Sequence, residues 1–359
     1  MNSESIRRDR LHNLHLLGNV EACAEDVVQS LVAVQAQDYT GSKWGLGLRT
    51  QGSSDAAVEA ACSSGRILRT HALRPTWHFV TPDDIRWLLG LTAPRVLAAS
   101  KPLFRRMELD APVLSRAMIA IERALQDGAI TRDGLRSALE DAGINTRGDL
   151  RMSYILIFAE LQALVCSGPR QGNQFTYALL DTRAAKARVL TAEEAVAELA
   201  LRYFRTRGPA TVQDFAKWSG LTLKACRTGL EASRGELHEQ LGDGGSYWGP
   251  AITKTGTGGC SAYLVSIYDE YVSSYRDRSA ICSPGLAPKL MAMGNALTGI
   301  VLLDGQVAGT WKRILRKDAV KLSVTMLVRL TKAARIAITA NAHEYARFFG
   351  LAAQLDFTT

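Results

Sequence analysis

Two glutamines stand one residue apart, Gln35 and Gln37, in the stretch LVAVQAQDYT (31–40). They end an apolar run and are followed by Asp38 and Tyr39. A glutamine amide neither takes nor gives a proton near neutral pH; it accepts at oxygen and donates at nitrogen. A reaction served by such a pair needs placement and partial charge rather than proton transfer. In a helix, residues two apart lie roughly 200° apart around the axis. In an extended segment they share a face. The pair can therefore act jointly only if the helix ends near Val34 and the glutamines are extended. Asp38 is the rival, a carboxylate able to act as a base or to stabilise a cation, but alternation puts it opposite Gln37. The plain alternative is a solvated helix end with two idle amides.

A second group of chemistry-bearing residues lies at 69–78: Arg69, Thr70, His71, Arg74, Trp77 and His78. Its histidines lack a nearby third ligand, so no metal is expected. Arg69 and Arg74 are candidate phosphate contacts, while Trp77 and His78 fit burial in a strand. GxGxxG after a strand, a P-loop and GxSxG are all missing, so no cofactor is expected. The glycine-rich piece at 256–259 is expected to be a loop. Six cysteines, at 23, 62, 166, 226, 260 and 282, form no CxxC pair and suggest free thiols in a reducing compartment. The N-terminus has no apolar core of signal-peptide length, and no segment approaches the ~20 apolar residues of a membrane span. A cytoplasmic protein without a membrane partner is expected.

The elements that must position these residues are mostly helical. The chain has 359 residues and a formal net charge of +8, too long for one core and basic enough to favour an anionic partner. Apolar spacing predicts a helix over 24–34, and Ser-Ser-Asp caps another over 53–64. Residues 73–80 read as extended, since Pro75 bars a helix interior. Thr81-Pro82-Asp83-Asp84 starts a helix. Helices follow over 131–142 and 149–166, then a turn and a strand at 174–180. A helix from Thr191 to Arg205 precedes TVQDFAKWSGLTLKACRTGLE (211–231), a helix-turn-helix pattern with Thr222 as cap. Helix, helix-turn-helix and strand wing is a winged-helix order that recurs along the chain. From about Ser261 the composition turns β-rich, and Asp304 and Gly305 mark a hairpin turn. Residues 312–335 hold eight basic side chains and one acid, a solvated face or a phosphate-contacting element.

The fold class expected is α+β, mainly α, with winged-helix units at 1–110, 111–188 and 189–255 and a β-rich part with a basic hairpin at 256–359. Five pieces in this order, LVAVQAQDY, GRILRTHALRPTWHFVTPDDIRWLL, RGPATVQDFAKWSGL, YDEYVSSYRDRS and VLLDGQVAGTWKR, resemble the winged-helix DNA-binding family that contains the AlkZ and YcaQ type DNA glycosylases. The resemblance runs over about residues 5–350. It implies tandem winged helices cradling duplex DNA, and a signature of glutamine, a hydrophobic residue, then glutamine or aspartate, matched by Gln35-Ala36-Gln37. Gln37 at the second polar position sides with the crosslink-unhooking branch. The family's DNA-inserting hairpin would correspond to the strands around Asp304 and Gly305.

The activity that the resemblance implies is that of a monofunctional DNA glycosylase. It would hydrolyse the N-glycosidic bond of alkylated purines, N7-modified ones first, bulky adducts and interstrand crosslinks included. An N7-alkylated guanine is cationic and leaves readily, so two glutamine carbonyls holding water against the sugar would suffice. Gln35 and Gln37 are the expected catalytic residues, with Asp38 as a further candidate. Tyr39, Lys43, Arg69, His71, Arg74, Arg276, Lys312, Arg313 and Arg316 are the expected DNA contacts. The partner is double-stranded DNA carrying alkylated bases, met by a monomer at the nucleoid. The rival readings are a non-catalytic winged-helix DNA-binding protein such as a transcription regulator, or a damage sensor without activity.

Overall fold

The computed structural model describes residues 1–18, 20–148, 150–242, 245–251 and 260–358. The expected glycine-rich loop at 256–259, the helix start at Asp149 and the unit boundary at 255 lie outside them.

The chain opens with α1 (Ser3–Asn13), α2 (Ala24–Leu31), β1 (Val34–Gln35), α3 (Tyr39–Gly47), α4 (Asp55–Ser64), β2 (Leu68–Ala72) and β3 (Thr76–Val80). Helix α2 stops three residues short of the expected end because Val32 adopts φ +65° and ψ −53°, a γ-turn in which Ala33 N donates to Leu31 O at 2.8 Å and which cannot continue a helix. The chain then extends, and β1 joins an antiparallel sheet of order β1-β3-β2. Val34 faces Phe79 and Gln35 faces His78 across β1 and β3. The single extended stretch expected from Leu73 is instead a hairpin. Its first strand starts at Leu68, and Leu73 turns the chain with φ +58°.

Next come α5 (Ile85–Arg106), α6 (Ala111–Ala124), β4 (Ile130–Thr131), α7 (Arg132–Asp141), α8 (Arg151–Leu161), β5 (Val165–Ser167), β6 (Thr176–Leu179) and the short α9 (Leu180–Arg183). Thr131 caps α7 by accepting from Gly134 N. Helix α8 ends at Leu161 rather than 166: Ala163 takes φ +55°, and Cys166 enters a strand of the sheet β4-β6-β5. These elements close their own apolar cluster, with Ile121, Leu135, Leu139 and Ile155 fully buried.

The third stretch holds α10 (Ala192–Arg207), α11 (Val212–Ser219), α12 (Leu223–Ala232) and the hairpin β7 (His238–Gly242) and β8 (Gly245–Gly249). Capping boxes start α10 at Thr191 and Glu194, and α11 at Thr211 and Asp214. Gly220 ends α11 at φ +71°, and a Cβ there would stand 2.6 Å from the Leu73 carbonyl oxygen. Only glycine allows this turn to press on the β2–β3 turn.

The C-terminal part holds β9 (Ala262–Ser266), α13 (Glu270–Ser273), α14 (Ala287–Ala292), β10 (Gly299–Leu303), β11 (Gln306–Leu315), β12 (Ala319–Met326), α15 (Lys332–Phe348) and β13 (Ala352–Thr358). The sheet order is β13-β12-β11-β10-β9, antiparallel except for β13 along β12. Trp311 meets Tyr345 of α15 edge-on at 5.2 Å. The whole is a mixed α/β molecule with several small sheets. No helix among the described residues is long and apolar enough to cross a membrane.

The Asp304 and Gly305 turn forms as expected, with φ +48° and +75°. It cannot be a DNA-inserting tip, however. Gly305 is buried, Tyr271 Oη donates to its carbonyl at 2.8 Å, and Asp304 Oδ1 accepts from Ser261 N. The exposed end of the sheet is the β11–β12 connection, where Ile314, Leu315, Arg316 and Lys317 all face solvent. Gly305→Ala puts a Cβ 2.5 Å from Tyr271 Oη in left-handed backbone. A loss of at least about 1–2 kcal/mol is expected by urea denaturation, and an unchanged midpoint contradicts this packing.

Candidate functional site

The Gln35-Ala36 backbone is held at all four of its polar atoms. Gln35 N donates to Glu270 Oε1 at 2.9 Å, and Gln35 O accepts from Ser42 Oγ at 2.7 Å. Ala36 N donates to Trp77 O at 2.7 Å, and Ala36 O accepts from Arg69 Nε and Nη2, both at 3.2 Å. This fixes the extended backbone at Gln35, where β1 ends; Gln37 lies beyond it, in a bend. The two side chains reach different points of the β2–β3 hairpin. Gln35 is 7% exposed, and its Oε1 accepts from Arg74 Nη2 at 3.2 Å. Gln37 is exposed, and its Oε1 lies 3.4 Å from Trp77 N, a long contact. Both carbonyls thus already have an internal donor, which two free water-holding carbonyls would not.

Glu270 was not among the expected site residues, yet it anchors the motif. Its Oε2 accepts from Arg207 Nη2 at 2.7 Å, Ser274 Oγ at 2.7 Å and Trp218 Nε1 at 2.9 Å. Arg207 continues to the carbonyls of Leu31 and Ala33, each at 3.0 Å. One buried ion pair therefore holds the chain from the end of α2 to Gln35. Burial alone would push the Glu270 carboxyl up. The Arg207 guanidinium, the Gln35 N–H and the Ser274 hydroxyl outweigh it and bring the group down to about 2. The only sequence sign was a pair of acids inside the aromatic run YDEYVSSY.

His78, across from Gln35, is fully buried. Burial, then the Arg74 charge, depresses its imidazole to about 3. Its Nδ1 faces Thr76 O at 2.9 Å, so the proton belongs there, and Nε2 is a buried acceptor with no partner among the described residues. A neutral imidazole this weakly basic is a hydrogen-bond acceptor rather than a working base.

The other expected residues divide sharply. Asp38 caps α3 by accepting from Gly41 N and binds Arg313 Nη2 at 2.8 and 2.9 Å. Both are engaged with each other, so neither Asp38 as a base nor Arg313 as a free DNA contact matches this arrangement. Lys43 is 4% exposed and bridges Asp55 and Glu59 at 2.8 Å each, so it is no surface contact. His71 is equally withdrawn: its Nδ1 bonds the buried Glu160, and its ring packs 4.0 Å from Trp77. The sequence pattern placed these on a surface because a charged side chain rarely lies buried without a partner; here the partners lie 12 to 89 positions away.

Tyr39 donates to Glu59 and is half-buried. Arg69 stacks on Trp77 at 3.9 Å, and burial lowers its guanidinium to about 10. Arg276, Lys312 and Arg316 are exposed and remain available to an anion. Beside the motif, Arg69, Trp77, Phe175 and Tyr177 line an open cavity of about 460 Å³.

Comparison with known proteins bears on this geometry. The family "DNA glycosylase AlkZ-like" matches residues 28–348. A curated protein of Streptomyces sahachiroi, "Interstrand DNA cross-link repair glycosylase", is 23% identical over 330 residues, covering 84% of this chain and 85% of its own. The solved structure of the Streptomyces sahachiroi DNA glycosylase AlkZ superposes with a TM-score of 0.83 over the full length of both chains at 20% identity, a likeness of fold.

The buried charges set the response of the fold to acid and to truncation. Unfolded, His78 binds a proton below about 6.5 and Glu270 below about 4.5; folded, they do so only near 3 and 2. The unfolded state takes up more protons as pH falls, so stability drops below pH 6.5, by up to about 1.4 kcal/mol per pH unit for each proton. His78→Gln should flatten the fall in melting temperature between pH 6.5 and 5; an identical profile overturns the assignment. Glu270→Ala strands Arg207 and should cost about 3–5 kcal/mol in chemical denaturation, and a change under 1 kcal/mol would contradict the anchor.

Proposed function

The chain belongs to the AlkZ-like DNA glycosylase family, and from that premise we propose that it hydrolyses the N-glycosidic bond of N7-alkylated purines in duplex DNA, bulky adducts and interstrand crosslinks included. The observation that carries this reading is the Gln35 and Gln37 pair, both side chains set against the basic β2–β3 hairpin, with the neighbouring Asp38 carboxylate tied to Arg313. An N7-alkylated base is already cationic. When the C1′–N9 bond breaks, its electron pair returns to the base and cancels that charge. A water oxygen then bonds C1′, and its proton leaves to solvent. Such a step needs a placed water and partial negative charge near the sugar, which amides supply.

The architecture fits duplex DNA. We read residues 1–110, 111–188 and 189–255 as winged-helix units, with β2 and β3 after α2, α3 and α4 in the first, which α5 then closes, β5 and β6 after α6, α7 and α8 in the second, and 256–359 as the β-rich part. Helices α10, α11 and α12 followed by β7 and β8 support this most directly. Exposed Ile314, Leu315, Arg316 and Lys317 at the β11–β12 end suit a duplex groove, with Arg276 and Lys312 as phosphate contacts. The 460 Å³ cavity beside Trp77 leaves room for a bulky substituent. We read the activity as monofunctional, as the family resemblance implies; Lys43, the lysine next to the motif, is bound by two carboxylates, which supports it.

A duplex with a single N7-alkylguanine tests the reading. Free modified base and an abasic site should appear, and Gln35→Ala with Gln37→Ala should lower the single-turnover rate by about 10² or more with the duplex still bound. Borohydride should trap no covalent complex. Binding without release from methyl, bulky and crosslinked substrates would leave a damage sensor, and release undiminished in the double variant would remove the glutamines from the chemistry.

A further inference from the structure

The two glutamines do not stand in equivalent surroundings. Gln35 Oε1 faces Arg74 Nη2 at 3.2 Å. A guanidinium carries donors only, so the amide group turned toward it must be the oxygen; the reverse orientation would set N–H against N–H. Arg74 is itself fixed. Its Nη1 contact to Lys217 O, at 3.5 Å, is also long, so its place comes from its turn, which Gly220 at the end of α11 presses. Leu73, the preceding residue, is buried with φ +58°. The amide orientation of Gln35 is thus dictated by a charge that the fold holds in place. Gln37 has no such clamp, since it is exposed and meets only the long Trp77 N contact among the described residues.

We propose that the pair is unequal: Arg74 is a positioning residue that turns the Gln35 oxygen inward, so that Gln35 meets the substrate through its N–H groups while Gln37 alone supplies the acceptor for water. This rests on the glycosylase reading above and divides its labour. His78 supports the division from the other side. It faces Gln35 across the strands, and burial with the Arg74 charge keeps it neutral. It therefore adds no donor that would compete for the Gln35 oxygen. Arg74, expected to bind phosphate, is half-buried and directed at Gln35 and the end of α11 instead.

The carboxylate swaps separate the roles. Glu at 35 keeps two acceptor oxygens and loses both N–H groups; Glu at 37 keeps its acceptors. Single-turnover release from an N7-methylguanine duplex, with saturating enzyme, should fall at least tenfold in Gln35→Glu. Gln37→Glu, which keeps its acceptor oxygens, should lose clearly less than Gln35→Glu. Arg74→Met should lower the saturated rate at least tenfold with Kd nearly unchanged, Arg74→Lys should recover part of it, and Arg74→Met should add nothing to Gln35→Ala. Multiplying effects, a weakened Kd with a normal saturated rate, or a more active Gln35→Glu than Gln37→Glu overturns the proposal. A second readout does not depend on turnover. The Gln35 side-chain N–H signals in a ¹⁵N spectrum, assigned by their loss in Gln35→Ala, should shift in Arg74→Lys and Arg74→Met, and unmoved signals refute the clamp. If wild type releases no base, the glycosylase reading fails while the spectrum still reports on Arg74; if wild type releases base and Gln35→Ala is as fast, the glycosylase reading stands and this proposal is overturned.

Discussion

The buried ion pair between Glu270 and Arg207 is the constraint on which the glutamine site depends. Segment 31–35 leaves the helix after Leu31, because Val32 breaks α2, and only two of its residues belong to a strand. Such a short extended piece has little stability of its own. Arg207 binds two of its carbonyls and Glu270 one of its N–H groups. A charge pair in the interior is costly to desolvate and is sustained only when its remaining hydrogen bonds are met. Here Ser274 and Trp218 meet them, so the same four residues stabilise the pair and hold the motif.

The consequence is that the site exists only in the completed fold. Gln35 comes from the first stretch of chain, Arg207 and Trp218 from the third, and Glu270 from the β-rich part. The β2–β3 hairpin adds a fourth contributor through Arg74, Arg69 and Trp77. Asp269, next to Glu270, binds Arg49 bidentately at 2.8 Å, and Tyr271 holds the Gly305 turn. The run YDEYVSSY is therefore a hub where successive residues tie three distant elements together. A local opening at any one would loosen the glutamines, which favours a rigid site over an adaptable one.

Local signals were legible in the sequence and distant ones were not. The caps at Ser54, Thr131, Thr191 and Thr222 all form, since each needs only its own backbone. The Asp304 and Gly305 turn forms for the same reason, but its burial depends on Tyr271 and α1. The extended state at Gln35 came from the geometry of joint action. Its cause, Val32 at positive φ in a γ-turn, has no sequence signature, because a β-branched residue there opposes every local preference. Lys43 and His71 looked like surface charges because their partners, Glu59 and Glu160, are not adjacent in sequence. Glu270 was hidden among ordinary acidic residues for the same reason.

Charge placement explains why amides can stand where carboxylates are usual. A cation developing at a sugar would be opposed by Arg74 and Arg69 close by; at an effective dielectric of about 20, a full charge roughly 4 Å away is worth about 4 kcal/mol. The fold moderates this in three ways. Arg69 gives both donors to the Ala36 carbonyl, and Arg74 gives one to the Gln35 oxygen, so their charge is turned toward protein dipoles. Arg207 is cancelled by Glu270. His78, which protonated would add another positive charge across from Gln35, is kept neutral by burial. A carboxylate at 35 would instead pair with Arg74 and spend its charge there. An amide at that position is held by the same arginine without being neutralised, and it keeps a donor face that a carboxylate does not have.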